Sequence, residues 1–279
     1  MSDLPKISVV VGTRNRATYL KRLLDGLLRE DYPNMEIVVV DGASTDGTVE
    51  LLKSYGQGAV RWISEPDDGE YFAFNKAIAM ASGEIIKPMC DDDLLRPGAL
   101  KHGAEYFREH PEVNIVFGRV EIWDVRTPTG EPSRSWQPPQ MDPTQGSFRD
   151  WLRHTGLMVA AFLRKRVFEQ IGLFETKYLT GDREFLVRAA FRGIKMGVMP
   201  HIVTDYYVTG NNGVLTKWRQ VEWEGLAIHR RYGTAGDVLY CVLTTIIPAH
   251  LGWVCHKLGI HPLRLLEQAK TKFAARTKA

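Results

Sequence analysis

Along the N-terminal third of the chain, short apolar runs alternate with segments of helical periodicity, and the turns after the later runs are acidic. Ile7-Ser8-Val9-Val10-Val11 closes at Gly12, and Ile37-Val38-Val39-Val40 ends at Asp41. Val60 to Ile63 leads into Ser64-Glu65-Pro66-Asp67-Asp68-Gly69, and Glu84 to Pro88 delivers Met89-Cys90-Asp91-Asp92-Asp93. Apolar runs without alternation read as strands buried on both faces, the condition of a parallel sheet. Between them, Leu20, Leu23, Leu24, Leu27 and Leu28 fall at helical spacing with Lys21, Arg22, Asp25 and Arg29 opposite. A second helix carries Phe72, Asn75, Ile78 and Ala79 on one side before Ser82-Gly83 stops it. Strand, acidic turn and helix repeat in one phase. The acidic turns therefore gather at the carboxyl edge of one sheet, where open α/β sheets bind ligands.

The aspartate triplet Asp91-Asp92-Asp93 is the most concentrated of these turns. Adjacent carboxylates at the end of a buried strand repel one another and call for a compensating cation, and hard oxygen ligands suit Mg²⁺ or Mn²⁺. The alternative is a solvated loop whose aspartates cap a helix beginning at Pro97, a favourable first helical residue. The turn Asp41-Gly42-Ala43-Ser44-Thr45-Asp46-Gly47-Thr48 has neither the dinucleotide nor the P-loop glycine spacing, so backbone cradling of phosphate is not its strategy. Asp41 can accept hydrogen bonds from a base imide or a ribose hydroxyl; it can equally form an Asx-turn or a helix cap, as can Ser44 or Asp46. Farther along, Phe185, Leu186, Ala189 and Ala190 give a helix an apolar face and set Asp182 at its N-terminus, as an N-cap or as a chemical carboxylate.

With 279 residues, 44% of them hydrophobic, the chain can bury a full core, and its net charge of +3 is too mild to argue for nucleic acid. Cys90, Cys241 and Cys255 have no metal-ligand spacing, and Met1 to Lys6 lacks an apolar signal region, so a cytoplasmic protein is expected.

Taken as an ordered set, Gly12-Thr13-Arg14-Asn15-Arg16, the Val40 to Thr48 turn, Glu65-Pro66-Asp67-Asp68-Gly69, Asn75-Lys76-Ala77-Ile78, Gly83-Glu84-Ile85-Ile86 and the triplet resemble family 2 of the nucleotide-sugar glycosyltransferases. The resemblance runs over about residues 5 to 215. It implies an α/β fold of GT-A type: a Rossmann-like, mostly parallel sheet flanked by helices, with a C-terminal helical extension. The implied division is 1–215, with a nucleotide-sugar half 1–120 and an acceptor half 121–215, followed by 216–279. The implied activity is metal-dependent inverting transfer from a UDP-sugar to a glycan or lipid-linked glycan, in the synthesis of cell-surface polysaccharide, lipopolysaccharide or glycolipid. Donor binding is carried over to Thr13, Arg14, Asn15, Asp41 (on the base), Ser44, Glu65, Asn75, Lys76 and Asp91, the metal to Asp92 and Asp93, and the catalytic base to Asp182.

The chain departs from the family in three places. Cys90 stands where many members have Asp or Asn, which shifts the ligand set onto Asp91, Asp92 and Asp93. Arg14 replaces an aromatic that stacks on the base, a role a guanidinium plane also performs. Gly181 replaces the Glu beside the base, and loss of a like charge alters the base's pKa more than its position. Cys90 and Gly181 also prompt the alternative of a non-catalytic nucleotide-sugar-binding protein, against which the triplet and Asp182 argue. A nucleotidyltransferase would need a longer, glycine-richer loop than Gly12 to Arg16.

From Trp123 to Phe148, prolines and glycine exclude regular structure over much of the segment, and the acceptor side of the cleft is expected there. His154 and His201 read as structural. Gly210 to Gly213 reads as a turn before a helix with Trp218, Val221, Trp223 and Leu226, whose Lys217 and Arg219 are lid residues or a solvated face. The apolar run Val238 to Val254 contains Pro248 and His250 and precedes a basic tail; residues 237–279 are expected either to lie on the inner face of the membrane or to pack as a lid.

Overall fold

The computed structural model describes residues 4–125, 133–136, 157–209 and 217–247. The chain divides into two compact units, residues 1–218 and 219–279. Among the described residues, the first unit is built on a nine-stranded sheet of order β3-β2-β1-β4-β8-β6-β9-β5, with β7 beside β6. Its first half is the parallel array that the sequence predicts: β1 (Ile7–Thr13), β2 (Met35–Asp41), β3 (Arg61–Ser64) and β4 (Ile85–Cys90). The helices between these strands are α1 (Ala17–Leu27), α2 (Thr48–Ser54), the single turn α3 (Gly56–Ala59) and α4 (Glu70–Met80). After the two-residue β5 (Leu94–Leu95) come α5 (Ala99–Glu109) and β6 (Ile115–Asp124), with β7 (Arg134–Trp136) antiparallel to β6. Next are a 3₁₀ turn (Met158–Ala160), β8 (Ala161–Arg164), α6 (Arg166–Ile171), α7 (Gly181–Phe191) and β9 (Met196–Val208), which runs parallel to β6.

Strand alternation sorts the core. Val10, Val38 and Val40 face one layer with Phe74, Ala77 and Phe185 of α4 and α7. Val9, Val11 and Val39 face the other with the α1 leucines and Leu100 and Phe107 of α5. Both sheet faces are covered, as a parallel array of apolar strands requires. Pairing of β4 with β8 covers only Ile85 and Ile86 and stops before Pro88, which has no N–H to donate. Beyond Ile86 the β4–β8 ladder ends, and Pro88 lines a cleft.

Several local expectations are corrected. The buried face of α4 is Ala73, Phe74, Ala77 and Ile78, with Ala79 exposed and Phe72 and Asn75 only partly covered. Leu28 lies beyond α1 and is exposed. The helix expected from Pro97 starts at Ala99, behind a left-handed Gly98 whose N–H donates to Glu30 rather than to the triplet. Within the segment from Trp123, expected to be irregular over much of its length, β6 continues to Asp124 and β7 returns along β6. The rest of that segment, His154, the 210–213 turn, Cys255 and the tail beyond residue 247 lie outside the described residues.

In the second unit, α8 (Trp218–Tyr232) begins at the boundary and is followed by α9 (Ala235–Cys241). Thr234 and Asp237 form a reciprocal capping box that starts α9. The helix continues through a π turn, Val242–Ile246.

Candidate active site

Strand register brings the ends of β1 to β4 together. Thr13 pairs with Asp41, Asp41 with Ser64, and Gly12 with Cys90, so the ends of β1 to β4 form one row. Thr13 Oγ1 donates to Asp91 Oδ2 at 2.7 Å. Arg16 lies 2.8 Å from Asp91 Oδ1 through Nε and 2.5 Å from Asp92 Oδ2 through Nη2. Arg22 donates to the Asp92 carbonyl. Burial pushes the Asp91 carboxyl up to about 6 against the pull of Arg16 and Thr13. None of the three aspartates caps α5.

Asp93 turns the other way. It is fully buried, its Oδ1 accepts from the Tyr207 N–H at 2.9 Å, and its Oδ2 has no hydrogen-bond partner among the described residues. Burial and the neighbouring Asp92 push its carboxyl well above the usual range. An orphaned buried carboxylate oxygen is costly unless a cation balances it. Ligand atoms of Cys90, Asp92 and Asp93 lie within 4.8 Å of one another. The two carboxylates fit a hard divalent ion, for which the nearby Cys90 sulfur is a poor ligand. Beneath it, the wholly buried Lys87 of β4 donates to the Val159 carbonyl and lies 3.5 Å from Thr204 Oγ1. Burial brings its ammonium down to about 7, opposed by Asp93.

The cleft at the strand ends encloses about 370 Å³. Thr13, Arg14, Arg16, Asp67, Glu70, Cys90, Asp91 and Asp92 supply its polar part, and Leu157, Met158, Phe174 and Leu179 an apolar part. Asp182 also lines it. Thr180, not Asp182, occupies the N-cap position of α7 and makes no side-chain cap bond. Asp182 sits in the first turn, where its Oδ1 accepts from the Arg183 N–H at 2.8 Å and from the Tyr71 hydroxyl at 2.9 Å. Burial raises the Asp182 carboxyl, with Tyr71 and Arg183 opposing. Buried Glu184, paired with Arg188 at 3.0 Å, anchors the same helix, and Arg188 also donates to the carbonyls of Ile171 and Leu173.

Other expected donor residues lie around the cleft rather than in its lining. Asp41 is fully buried and accepts from the Ser44 N–H (3.0 Å), the Ser44 hydroxyl and the Ser64 hydroxyl (2.6 Å), an Asx-type turn. Asn15, at a left-handed φ of 54°, donates its N–H to Ser44 Oγ and accepts from the Thr45 N–H, tying the β1 and β2 loops together. Glu65 and Lys76 form an exposed ion pair at 2.7 Å. Both ends of the Asn75 amide are engaged by the Phe174 backbone, so this side chain joins α4 to the loop before α7. His201 stacks on His102 with ring centroids 3.7 Å apart.

Arg16, Glu70, Tyr71 and Lys87 are site residues that sequence reasoning passes over. Lys87 carried a signal, because a lysine inside a buried strand implies a nearby negative charge. Glu70 and Tyr71 follow the Asp67-Asp68-Gly69 turn directly. Glu70 is exposed at the cleft mouth, and its carboxyl is pushed up by the crowding protein around it and by Asp182 and Asp91.

The family model described as Glycosyl transferase family 2 matches residues 8–172. A glycosyltransferase of Nostoc sp. named as uncharacterized is 31% identical over 114 residues, 40% of this chain but only 35% of that relative's length. A PGL/p-HBAD biosynthesis glycosyltransferase of Mycobacterium bovis is 25% identical over 208 residues, 73% of this chain and 77% of the relative. Among solved structures, the mannosyltransferase PcManGT of Pyrobaculum calidifontis, in complex with GDP-Man and Mn²⁺, superposes with a TM-score of 0.66 at 21% identity, covering 98% of this chain and 81% of that one. That last likeness is one of fold.

Proposed function

Because the chain belongs to glycosyl transferase family 2, we propose that it moves a sugar, with inversion at the anomeric carbon, from a nucleotide-sugar donor to a hydroxyl of a glycan or lipid-linked glycan acceptor. The protein is a glycosyltransferase of GT-A architecture. The observation that carries the finer reading is that Asp182 and the pair Asp91 and Asp92 line one cleft.

In this reading Asp182 is the general base. The acceptor oxygen forms its bond to the anomeric carbon while the bond from that carbon to the donor diphosphate breaks. The electron pair leaves with the diphosphate, and the acceptor's proton ends on Asp182. A carboxyl raised by burial is a stronger base at neutral pH, and general-base catalysis contributes about 10² to 10⁴ in rate. Asp92 and Asp93 would hold a divalent cation, Mg²⁺ or Mn²⁺, whose charge stabilises the departing diphosphate when bound. Thr13 and Arg16 hold the acidic row in place. Arg14 is exposed at the cleft, free to lie on a nucleobase. We take UDP-sugars as the first donors to test, and synthesis of surface polysaccharide, lipopolysaccharide or glycolipid as the setting.

A thermal-shift screen of UDP- and GDP-sugars with and without Mn²⁺, followed by transfer assays, tests the reading, because a ligand of the folded state stabilises it by mass action. Failure of every nucleotide sugar to raise the melting temperature would contradict it.

We further propose that residues 237–279 touch the inner membrane face peripherally. Leu239, Leu243 and Ile247 are exposed on successive helical turns of the second unit. The following sequence carries Lys257, Arg264, Lys270, Lys272, Arg276 and Lys278 against the single acid Glu267. Among the described residues, no helix is long and apolar enough to cross a membrane. Flotation with anionic vesicles, but not neutral ones, is the expected result; no flotation with either returns the segment to the packed-lid alternative.

A further inference from the structure

We propose that Tyr71 is the positioning residue of the general base: its hydroxyl fixes the Asp182 carboxylate for proton uptake, and Gly181 is the space that its ring requires. The inference rests on the reading of Asp182 as the base.

Two independent features of the geometry carry it. The first is the hydrogen bond. The Tyr71 hydroxyl donates to Asp182 Oδ1 at 2.9 Å across 111 residues of sequence, and the Arg183 N–H donates to the same oxygen. Both bonds fall on Oδ1, so the carboxylate is held at that end, and in this reading Oδ2 takes the acceptor's proton. The second is the packing. A Cβ on Gly181 would come within 2.9 Å of the Tyr71 ring at Cδ2 and 3.0 Å at Cγ and Cε2. No residue but glycine can stand beside the base while Tyr71 keeps this pose. The glycine beside the base is thus the counterpart of the tyrosine.

The ring itself is fixed independently of the base. It packs on Phe174 and Phe74, with centroids 5.3 and 6.4 Å away. It lies in the first turn of α4, beside Glu70, at the edge of the cleft. The groups that face the Asp182 carboxyl are therefore Tyr71 and Glu70 from α4, Arg183 from its own helix and Tyr206 from β9. Of these, Tyr71 is the side chain that both donates to Asp182 and is held by an aromatic cluster. Burial and the adjacent carboxylates keep its phenol protonated, and hence a donor, across the working range.

Tyr71→Phe tests the idea, since it preserves the ring, its contacts with Phe74 and Phe174, and the fit against Gly181. Three properties should separate. Turnover should fall roughly tenfold with donor affinity unchanged, beyond the modest loss of melting temperature that a lost hydrogen bond to a charged group brings. The acidic limb of the pH–rate profile should move to higher pH, because a carboxylate without that donor binds its proton more tightly. The ¹³C shift of the Asp182 carboxyl, followed by NMR, should titrate at higher pH in the variant, a readout that does not depend on transfer. Wild-type turnover together with an unchanged Asp182 titration would overturn the proposal and leave Tyr71 as packing. Asp182→Asn measured alongside separates the two failures. If it is inactive while Tyr71→Phe is normal, only the positioning role falls. If it turns over normally, the base assignment falls, and the positioning role with it.

Discussion

The Arg16 guanidinium sits 2.5 Å from Asp92 Oδ2, while its Nε reaches Asp91 Oδ1, so one cation on the loop after β1 spans two carboxylates at the end of β4. A planar fork suits such a pair. The arrangement keeps two like charges close together in a partly buried row.

Arg16→Gln should therefore destabilise the protein by about 1–3 kcal/mol in the absence of divalent ions, because the row loses its charge partner. Added Mn²⁺ should raise the melting temperature more in this variant than in wild type, since the ion then relieves a larger repulsion. Calorimetry with and without Mn²⁺ checks it. An equal increment in both proteins argues against electrostatic coupling between Arg16 and the cation site.

Asp92→Asn should abolish transfer and most of the metal-dependent part of donor binding, because an amide contributes no charge to balance a cation against a diphosphate. Donor affinities measured calorimetrically at several Mn²⁺ concentrations test it. Binding that stays equally tight and equally metal-dependent in the variant removes Asp92 from the ligand set.

Glu36 on β2 offers a pH test remote from the cleft. Burial alone would raise its carboxyl, but Ser8, the Ser82 N–H and Lys6 draw it down to about 2. A folded-state value below the unfolded one means stability that is fully present above about pH 4.5 and is lost as pH falls toward 2. Glu36→Gln should cost about 1–3 kcal/mol at pH 7. It should also flatten the stability curve between those pH values. Urea unfolding across that range measures both; a parallel curve displaced downward at every pH would show that Glu36 acts by packing instead.

How far sequence reasoning reaches depends on how local each signal is. The β1 to β4 array was legible because apolar runs without alternation leave little choice but a buried parallel sheet, and the register of Thr13, Asp41 and Cys90 follows from it. The α1 face was legible from its leucines. The α4 face was misjudged because Phe72, Asn75, Ile78 and Ala79 were placed on one side, whereas Ala73, Phe74, Ala77 and Ile78 are the buried ones and the Asn75 amide is engaged by the Phe174 backbone, a partner 99 residues away. Asp41 shows the same limit, as its bond from Ser64 comes from a neighbouring strand. Tyr71 could not be assigned at all before its helix was packed against α7, because nothing within a few residues of it refers to Asp182.

The base assignment is tested most directly by Asp182→Asn, with rate, donor affinity and melting temperature measured on one preparation. The amide is nearly isosteric and its oxygen can still accept from Arg183 and Tyr71, so stability should change by no more than about 1 kcal/mol. It cannot take up the acceptor's proton, so turnover should fall by roughly two to four orders of magnitude with donor affinity almost unchanged. A variant that keeps more than about a tenth of wild-type turnover would contradict the assignment of Asp182 as the general base.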